Sequence, residues 1–395
     1  MFLKRGFRKG IGVVAGAFIF VLPVFTQITT GELTGEINTI QSAVPFLTIA
    51  PDSRSGSMGD VGVATSPDIN SQHWNPAKYV FLEGQGGIAL SYTPWLRNLI
   101  PDINLAYLAG YKKIDGRQAV SASLRYFSLG NIVFTNIYGD TQGNFNPNEF
   151  AVDAAYSRLF SDNFSGAMAF RFIRSDLTGR QFVGDIDTKA GISVAADLAF
   201  FYTNDIDLGD KEGTLNLGTN ISNMGRKISY TETEEAAFIP TNFRLGGNLA
   251  IDIDDYNTFS FAIDLNKLLV PTPPIYDENN SDSIIAGMNP DVSVPVGIFH
   301  SFYDAPDGFR EEIQEFTLGA GVEYLYRNQF AVRGGYFHEN ERKGNRKYFT
   351  FGVGLKLNVF ELDFAYLVPT YATNPLANTL RFTLGFDFDK YRKAQ

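Results

Sequence analysis

Apolar and polar residues alternate one by one along much of the chain beyond residue 86, in stretches of about ten residues. Near the C-terminal end Leu380, Phe382, Leu384, Phe386 and Phe388 fall on one face, while Thr379, Arg381, Thr383, Gly385, Asp387 and Asp389 fall on the other. A period of two predicts a strand whose faces meet different surroundings. The pattern returns at Phe349, Phe351, Val353, Leu355 and Leu357, at Phe316, Leu318, Ala320, Val322 and Tyr324, and at Phe259, Phe261, Ile263 and Leu265. Small residues and single charges occupy the intervening positions. One such strand suits a soluble sandwich, but ten-residue strands repeated along the chain have the length that crosses a bilayer when tilted.

Fourteen strands are predicted, near 86–96, 102–114, 117–129, 148–160, 163–175, 190–203, 212–223, 241–252, 257–268, 314–326, 329–338, 347–357, 360–368 and 378–389. The connections at Asp115-Gly116, Ser161-Asp162, Asp254-Asp255, Arg327-Asn328 and Asn358-Val359 are tight, whereas 130–147, 176–189, 224–240 and 269–313 are long. Transmembrane barrels have short periplasmic turns and longer extracellular loops. The expected fold class is therefore all-β, an antiparallel transmembrane barrel of about fourteen strands over 86–395. Its long loops are extracellular, and an even strand count puts both termini in the periplasm.

The N-terminal residues agree with export. Lys4, Arg5, Arg8 and Lys9 precede an apolar stretch from Ile11 to Phe25, which predicts a signal peptide over 1–26. Residues 27–85 form a different segment, rich in small residues and turn formers over Gly31–Glu83. Arg54 to Gly62 predicts tight turns or a short helix, and Asn75-Pro76-Ala77 predicts a turn. The segment is read as a plug in the lumen, with a periplasmic extension as the alternative.

Composition narrows the function. The chain has 35 Phe, 19 Tyr, 38 Gly, no Cys and three His, with a net charge of −10 that grows more negative once the basic leader is removed. Thiolate metal sites and disulfides are excluded, no cofactor or metal is expected, and nucleic acid is a poor partner. Gly56, Gly59 and Gly62 lack the Gly-Lys-Ser/Thr of a phosphate loop. Asp205, Asp207, Asp210 and Glu212 lack the spacing of a calcium loop and read as a solvated turn. No catalytic residue is assigned and no enzyme is expected; His300 beside Ser301 is the faint candidate for a lipid-modifying pair. Inward charges at Arg125, Arg171, Arg244, Asp264, Glu323, Arg333, Lys356, Asp363 and Arg381 suit a salt-bridged lumen rather than an ion-selective pore.

In loop 269–313, Val270-Pro271-Thr272-Pro273-Pro274 stiffens the exit from the wall, and an apolar run follows at Val292, Val294, Val296, Ile298, Phe299, Phe302 and Tyr303. Ile298, Phe299, Phe302 and Tyr303 are the expected contact for a binding partner. Packing on neighbouring loops is the alternative.

The stretch Phe46-Leu47-Thr48-Ile49-Ala50-Pro51-Asp52-Ser53-Arg54-Ser55-Gly56-Ser57-Met58-Gly59-Asp60-Val61-Gly62-Val63-Ala64, with His73-Trp74-Asn75-Pro76-Ala77-Lys78, closely resembles the PorV family of the type IX secretion system. The likeness continues through Ser91–Leu96, Ser123–Phe127 and Phe145–Phe150. Arg54, Gly56, Gly59, Asp60, Asn75, Pro76 and Ala77 make up a hatch motif, and the Asn75-Pro76-Ala77 stretch is also similar to the hatch of FadL-type transporters. The resemblance implies a fourteen-stranded FadL-like barrel that binds the C-terminal signal domain of secreted cargo. It also implies association with a SprA/Sov-type translocon, delivery to a PorU-type sortase attachment complex, and an outer-membrane lipid setting. A FadL-like transporter of hydrophobic small molecules is the alternative.

Overall fold

A computed structural model describes residues 37–388 except 98–99, 101, 136–137, 139, 180–181, 184–185, 233–235, 278–279 and 372–374. The expected signal peptide and Asp389 lie outside the described residues. The wall is a closed antiparallel barrel of fourteen strands. They are β1 Gly86–Pro94, β2 Ile103–Asp115, β3 Gln118–Leu129, β4 Asn148–Ser161, β5 Phe164–Asp176, β6 Gly191–Leu208 and β7 Lys211–Gly225, then β8 Asn242–Asp254, β9 Asn257–Leu268, β10 Thr317–Tyr326, β11 Phe330–His338, β12 Lys347–Leu357, β13 Phe360–Pro369 and β14 Leu380–Asp387. Each pairs with its neighbours, and β1 closes on β14 through the register Leu90↔Leu384.

The alternation read from sequence sets which face looks inward. On β12 Phe351 is 55% exposed while Thr350 is 0% exposed, so apolar side chains cover the outside and polar ones fill the inside. That inverts a soluble protein and matches a wall bathed in hydrocarbon. Of the charges expected to face inward, all except Lys356 are buried.

The strand predictions hold to within a few residues, with two instructive misses. β6 continues to Leu208 because Ile206 and Leu208 prolong the alternation and pair across to Gly213 and Lys211. Asp205, Asp207 and Glu212 are thus strand residues and only Gly209-Asp210 make the turn, Gly209 at φ +73°. Residue 314, expected to open β10, instead ends a helix.

The long connections carry structure of their own. Short hairpins occupy Ile132–Thr135 with Thr141–Phe145, Phe182–Val183 with Ile186–Asp187, and Ile275–Asp277 with Asn280–Ala286.

Residues ahead of β1 cross the lumen from mouth to mouth. At the long-loop mouth the Asn38 amide donates to Pro273 O at 3.1 Å, and Ala43 N donates to Phe238 O at 2.8 Å. At the tight-turn mouth Lys113 Nζ donates to Leu82 O, and Ile69 lies against Gly87 and Gly385. Ile37, the first described residue, thus lies at the long-loop mouth, while the N-terminus itself lies outside the described residues. Strand parity places Gly86 correctly, but the crossing segment adds a further passage through the barrel.

Candidate functional site

Two groups of side chains were expected to matter, and the fold separates them. The motif residues Arg54, Gly56, Gly59, Asp60, Asn75, Pro76 and Ala77 come together inside the barrel. Ile298, Phe299, Phe302 and Tyr303 stand at the long-loop mouth.

Inside, Asp52 caps helix α1, Ser53–Gly56, by accepting from Ser55 N at 2.9 Å, and also accepts from Trp74 Nε1 at 2.7 Å. A short polar side chain at an N-cap satisfies an amide that the helix leaves open. The chain then reverses through Gly59 at φ +73° and Asp60 at φ +58°. A side chain at Gly59 would stand 2.8 Å from the Ala320 carbonyl oxygen, so this position needs glycine for space as well as for backbone conformation. On the same strand, a methyl at Gly321 would meet Met58 Cβ at 2.5 Å.

The second half of the segment holds helix α2, Ser71–Trp74, and a 3-10 helix over Pro76–Phe81. Asn75-Pro76-Ala77, read as a turn, opens that 3-10 helix: Asn75 caps it by accepting from Ala77 N at 3.0 Å, and Pro76 supplies a preset φ. Asn75 Nδ2 also donates to Phe200 O at 2.9 Å on β6.

The wall answers with polar side chains. Asp264 on β9 accepts from Gly62 N at 2.7 Å and Val63 N at 2.9 Å; Gly59 N donates to Thr350 Oγ1 on β12 at 2.8 Å. Ser157 and Ser165 donate to the Pro76 and Ala77 carbonyls, each at 2.7 Å. Arg381 donates to Gly56 O at 3.1 Å and pairs with Asp60 at 3.2 Å. The backbone of an irregular segment buried in a lumen must find partners for its amides and carbonyls, and these wall residues provide many of them.

Arg54 is the busiest contact. It pairs with Glu323 on β10 at 2.9 Å and with Asp68 at 3.0 Å, and donates to Ser66 O at 3.0 Å. Glu323 is shared with Arg333 at 2.6 Å, which reaches on to Asp363 at 2.5 Å. Burial alone pulls the Asp68 carboxyl upward, but Lys78 and Arg54 outweigh it and hold the group below its ordinary range. Burial, then the guanidiniums of Arg125 and Arg244, push the His73 imidazole well below its usual value.

At the long-loop mouth, helix α3 spans Val294–His300 and α4 spans Phe309–Gln314. Phe299 is 69% exposed and Phe309 80% exposed, and Phe302, Tyr303 and Ile313 are also exposed; Ile298 is half-buried. Beneath them lies a buried ionic layer that the sequence reading missed. Lys267 pairs with Glu312 at 3.0 Å and with Glu315, while Lys343 pairs with Glu311 at 2.5 Å and Glu315 at 2.9 Å. Burial raises Glu311, yet Lys343 holds its carboxyl below the ordinary range.

Lys267 continues the outward row of Phe259, Phe261, Ile263 and Leu265, but is fully buried and faces the Phe316 ring at 5.4 Å. Thus α4 folds over the rim at β9. The one available clue in sequence was a charge ending an apolar row.

Ser301 donates to Ile298 O at 2.8 Å instead of pairing with His300, so the faint candidate pair is not assembled. Among the described residues no cluster of His and carboxylates could hold a metal ion.

Cavities open at both mouths. One of about 300 Å³ sits at the long-loop mouth, with Thr39, Trp74, Arg244, Asn266, Lys343 and Arg346 among its lining residues. Another of about 730 Å³ opens at the tight-turn mouth, beside Asp68, Glu83, Lys356 and Glu361.

Among solved structures the barrel is similar to the toluene transporter TodX of Pseudomonas putida, at 10% identity and TM-score 0.47, covering 85% of this chain and 97% of that one. It is also similar to a FadL homologue of Pseudomonas aeruginosa, at 11% identity and TM-score 0.41, covering 89% and 99%. A third similar structure is the Ralstonia pickettii toluene transporter TbuX, at 10% identity and TM-score 0.43, covering 85% and 97%. No curated protein matches the chain. The family model described as type IX secretion system protein PorV matches residues 32–275. A match across more than half of the chain, over the luminal segment and the first nine strands, makes this barrel a member of the PorV family.

Proposed function

We propose that this PorV-family barrel is a non-enzymatic cargo receptor and shuttle of the type IX secretion system. Its long-loop mouth faces the cell exterior and docks the C-terminal signal domain of secreted proteins as they leave a SprA/Sov-type translocon. The barrel then delivers them to a PorU-type attachment complex. Residues 27–85 act as a hatch that keeps the outer membrane sealed, and residues 1–26 are removed on export.

The observation that carries the docking site is the construction of the α3–α4 loop. Apolar side chains stand exposed on a support of four ion pairs, so the surface is held rigid instead of collapsing onto the wall. A rigid apolar patch loses little conformational entropy when a partner covers it.

The test is a Phe299→Ser/Phe302→Ser/Tyr303→Ser variant purified from native membranes. Secreted cargo and the translocon are expected to drop out of the copurified material, while the barrel keeps its heat-modifiable migration on gels. Undiminished copurification of both would move the docking site elsewhere.

Transport of hydrophobic molecules would require a passage through the wall. The bulge opposite Ala196–Leu198 is the obvious place, but it is filled: Asn223, at φ +61°, turns into the lumen, donates from its backbone to Asp197 at 2.7 Å and accepts from Arg171.

A further inference from the structure

The luminal segment fills the tight-turn mouth on one side only. Its 3-10 helix over Pro76–Phe81 packs Ala77 among Ala167, Ala199 and Phe201, and Ser157 and Ser165 hold its carbonyls, so β4 to β6 are covered. The cavity of about 730 Å³ lies on the other side, walled mainly by β10 to β14 from Leu325 round to Asp387. Well-packed protein leaves few gaps larger than a water molecule, so this opening has room for a further length of chain.

The charges around the opening do not balance. Six acidic side chains line it, Asp68, Glu83, Glu323, Glu361, Asp363 and Asp387, against Arg54, Arg333 and Lys356. Arg54 and Arg333 are already bound to Asp68, Glu323 and Asp363. Lys356 reaches Glu361 only at 3.8 Å, and the exposed Glu83 has no ion pair among the described residues. Half-buried Ile69 and Phe81 add an apolar side to the same lining.

The chain itself leaves the wall at this point. β14 ends at Asp387 in the lining, and the Phe388 ring lies 3.5 Å from where a side chain at Gly86 would stand. Beyond Phe388 the sequence runs Asp389-Lys390-Tyr391-Arg392-Lys393-Ala394-Gln395, with three cations in four consecutive positions. These residues lie outside the described ones. Extended chain advances about 3.3–3.6 Å per residue, so Lys390 to Lys393 reach about 7 to 18 Å from Phe388. Strands stand about 4.8 Å apart, which puts β11, three strands along from β14, about 14 Å away and within that reach. A cation in a recess walled by protein feels a carboxylate more strongly than one on an open surface.

We infer that residues 389–395 fold back into this cavity as a second stopper, with Lys390, Arg392 and Lys393 against Glu83 and Glu361 and Tyr391 against Ile69 and Phe81. They close the sector of the tight-turn mouth that the luminal segment leaves open. The inference is independent of the docking surface on α3 and stands if that surface proves inert.

The chain has no cysteine, so a pair can be introduced without interference. In Ala394→Cys/Gln329→Cys the second position lines the cavity just ahead of β11. In Ala394→Cys/Gly116→Cys it stands on the β2–β3 turn away from the cavity, where a side chain meets nothing within 4 Å. Gly116 is the nearer of the two around the ring, since β2 is two strands from β14 and β11 is three. For the full chain in phosphatidylcholine nanodiscs, disulfide formation is expected at least about tenfold faster with Gln329→Cys, the ratio of effective concentrations inside and outside the cavity. Equal rates, or faster closure to Gly116→Cys, overturn the inference.

Trypsin cuts after Lys390, Arg392 and Lys393, so it reads the same placement with the tail unaltered. Cleavage there, followed by mass spectrometry, is expected to speed up at least about fivefold in Glu83→Gln/Glu361→Gln and on raising the salt to about 0.5 M, which screens the attraction. An unchanged rate in a variant that keeps its heat-modifiable migration overturns the role of the two glutamates; if that variant does not fold, the disulfide rates decide. Protection found only in nanodiscs containing phosphatidylglycerol puts the tail on the lipid surface and overturns the inference. So does a photocrosslinker on Gln329→Cys that, in native membranes, captures a second protein and not the tail.

Discussion

Replacing Arg54 by Met removes the centre of the ionic connection between the luminal segment and the wall. Losing one partner of a buried ion pair costs about 3–5 kcal/mol, because the other charge stays buried without compensation. Here the loss is smaller on the wall side, since Glu323 keeps Arg333 at 2.6 Å. Asp68 keeps a weaker share of compensation, from Ser71 at 3.1 Å and the nearby Lys78 charge. Arg54→Met is therefore expected to cost about 2–4 kcal/mol. In a cycle with Glu323→Met the two losses should fall short of additive by about 1–3 kcal/mol, because each removes the same pair.

The assay is guanidinium unfolding in lipid vesicles followed by tryptophan fluorescence, with Trp74 on the luminal segment and Trp95 next to the wall. Release of the segment should quench Trp74 before the barrel melts. The same variant in a planar bilayer should show current, since a ring of fourteen strands is wider than the eight that side chains alone can fill. Additivity within about 0.5 kcal/mol together with a silent bilayer would refute the latch.

Other expectations follow from the same contacts. Because the folded imidazole of His73 is held below its unfolded value of about 6.5, the unfolded chain binds the extra proton as pH falls past that point. Stability should be full at pH 7 and decline toward pH 5 with a limiting slope of about 1.4 kcal/mol per pH unit, and His73→Gln should flatten the curve. An unchanged slope in that variant, read by chemical unfolding, would remove His73 as the cause. Gly321→Val should eject Met58 and Gly59 from their seat while leaving strand pairing intact, seen as current from a barrel with unaltered circular dichroism. Lys267→Met should leave Glu312 without its cation and Glu315 with Lys343 alone, and release the helical loop, which limited proteolysis between residues 290 and 310 would detect.

The wall was legible because a strand in lipid has one requirement per residue, apolar outward or polar inward, and that requirement is written locally in β12 and β14. The tight turns were legible for the same reason. The luminal segment was legible as different from the wall but not in its course, because its partners are distant: Ser53 N bonds Thr383 Oγ1, 330 residues away. Nothing near Asp52 or Asn75 announces which wall strand will receive it. The parity argument placed Gly86 and Phe388 at one mouth but said nothing of a segment that crosses back through the lumen. The exposed aromatics of α3 were visible in sequence, whereas their ionic support draws on Lys267 from β9, Lys343 from the β11–β12 connection and three glutamates around α4.

The course of the luminal segment also constrains assembly. Residues made first find their partners on strands made last, since Ser53 meets β14 and Asp52–Asp60 spans β10 to β14. Contacts of such sequence separation form late and slowly. The β1–β14 seam therefore has to zip around a segment that is already inside, or the ring closes on an empty lumen that a chain of this length must then be threaded through. The first route makes the segment a former around which the sheet curls, so substitutions at Asn75 or Asp264 would lower the yield of closed barrels even where the finished structure tolerates them.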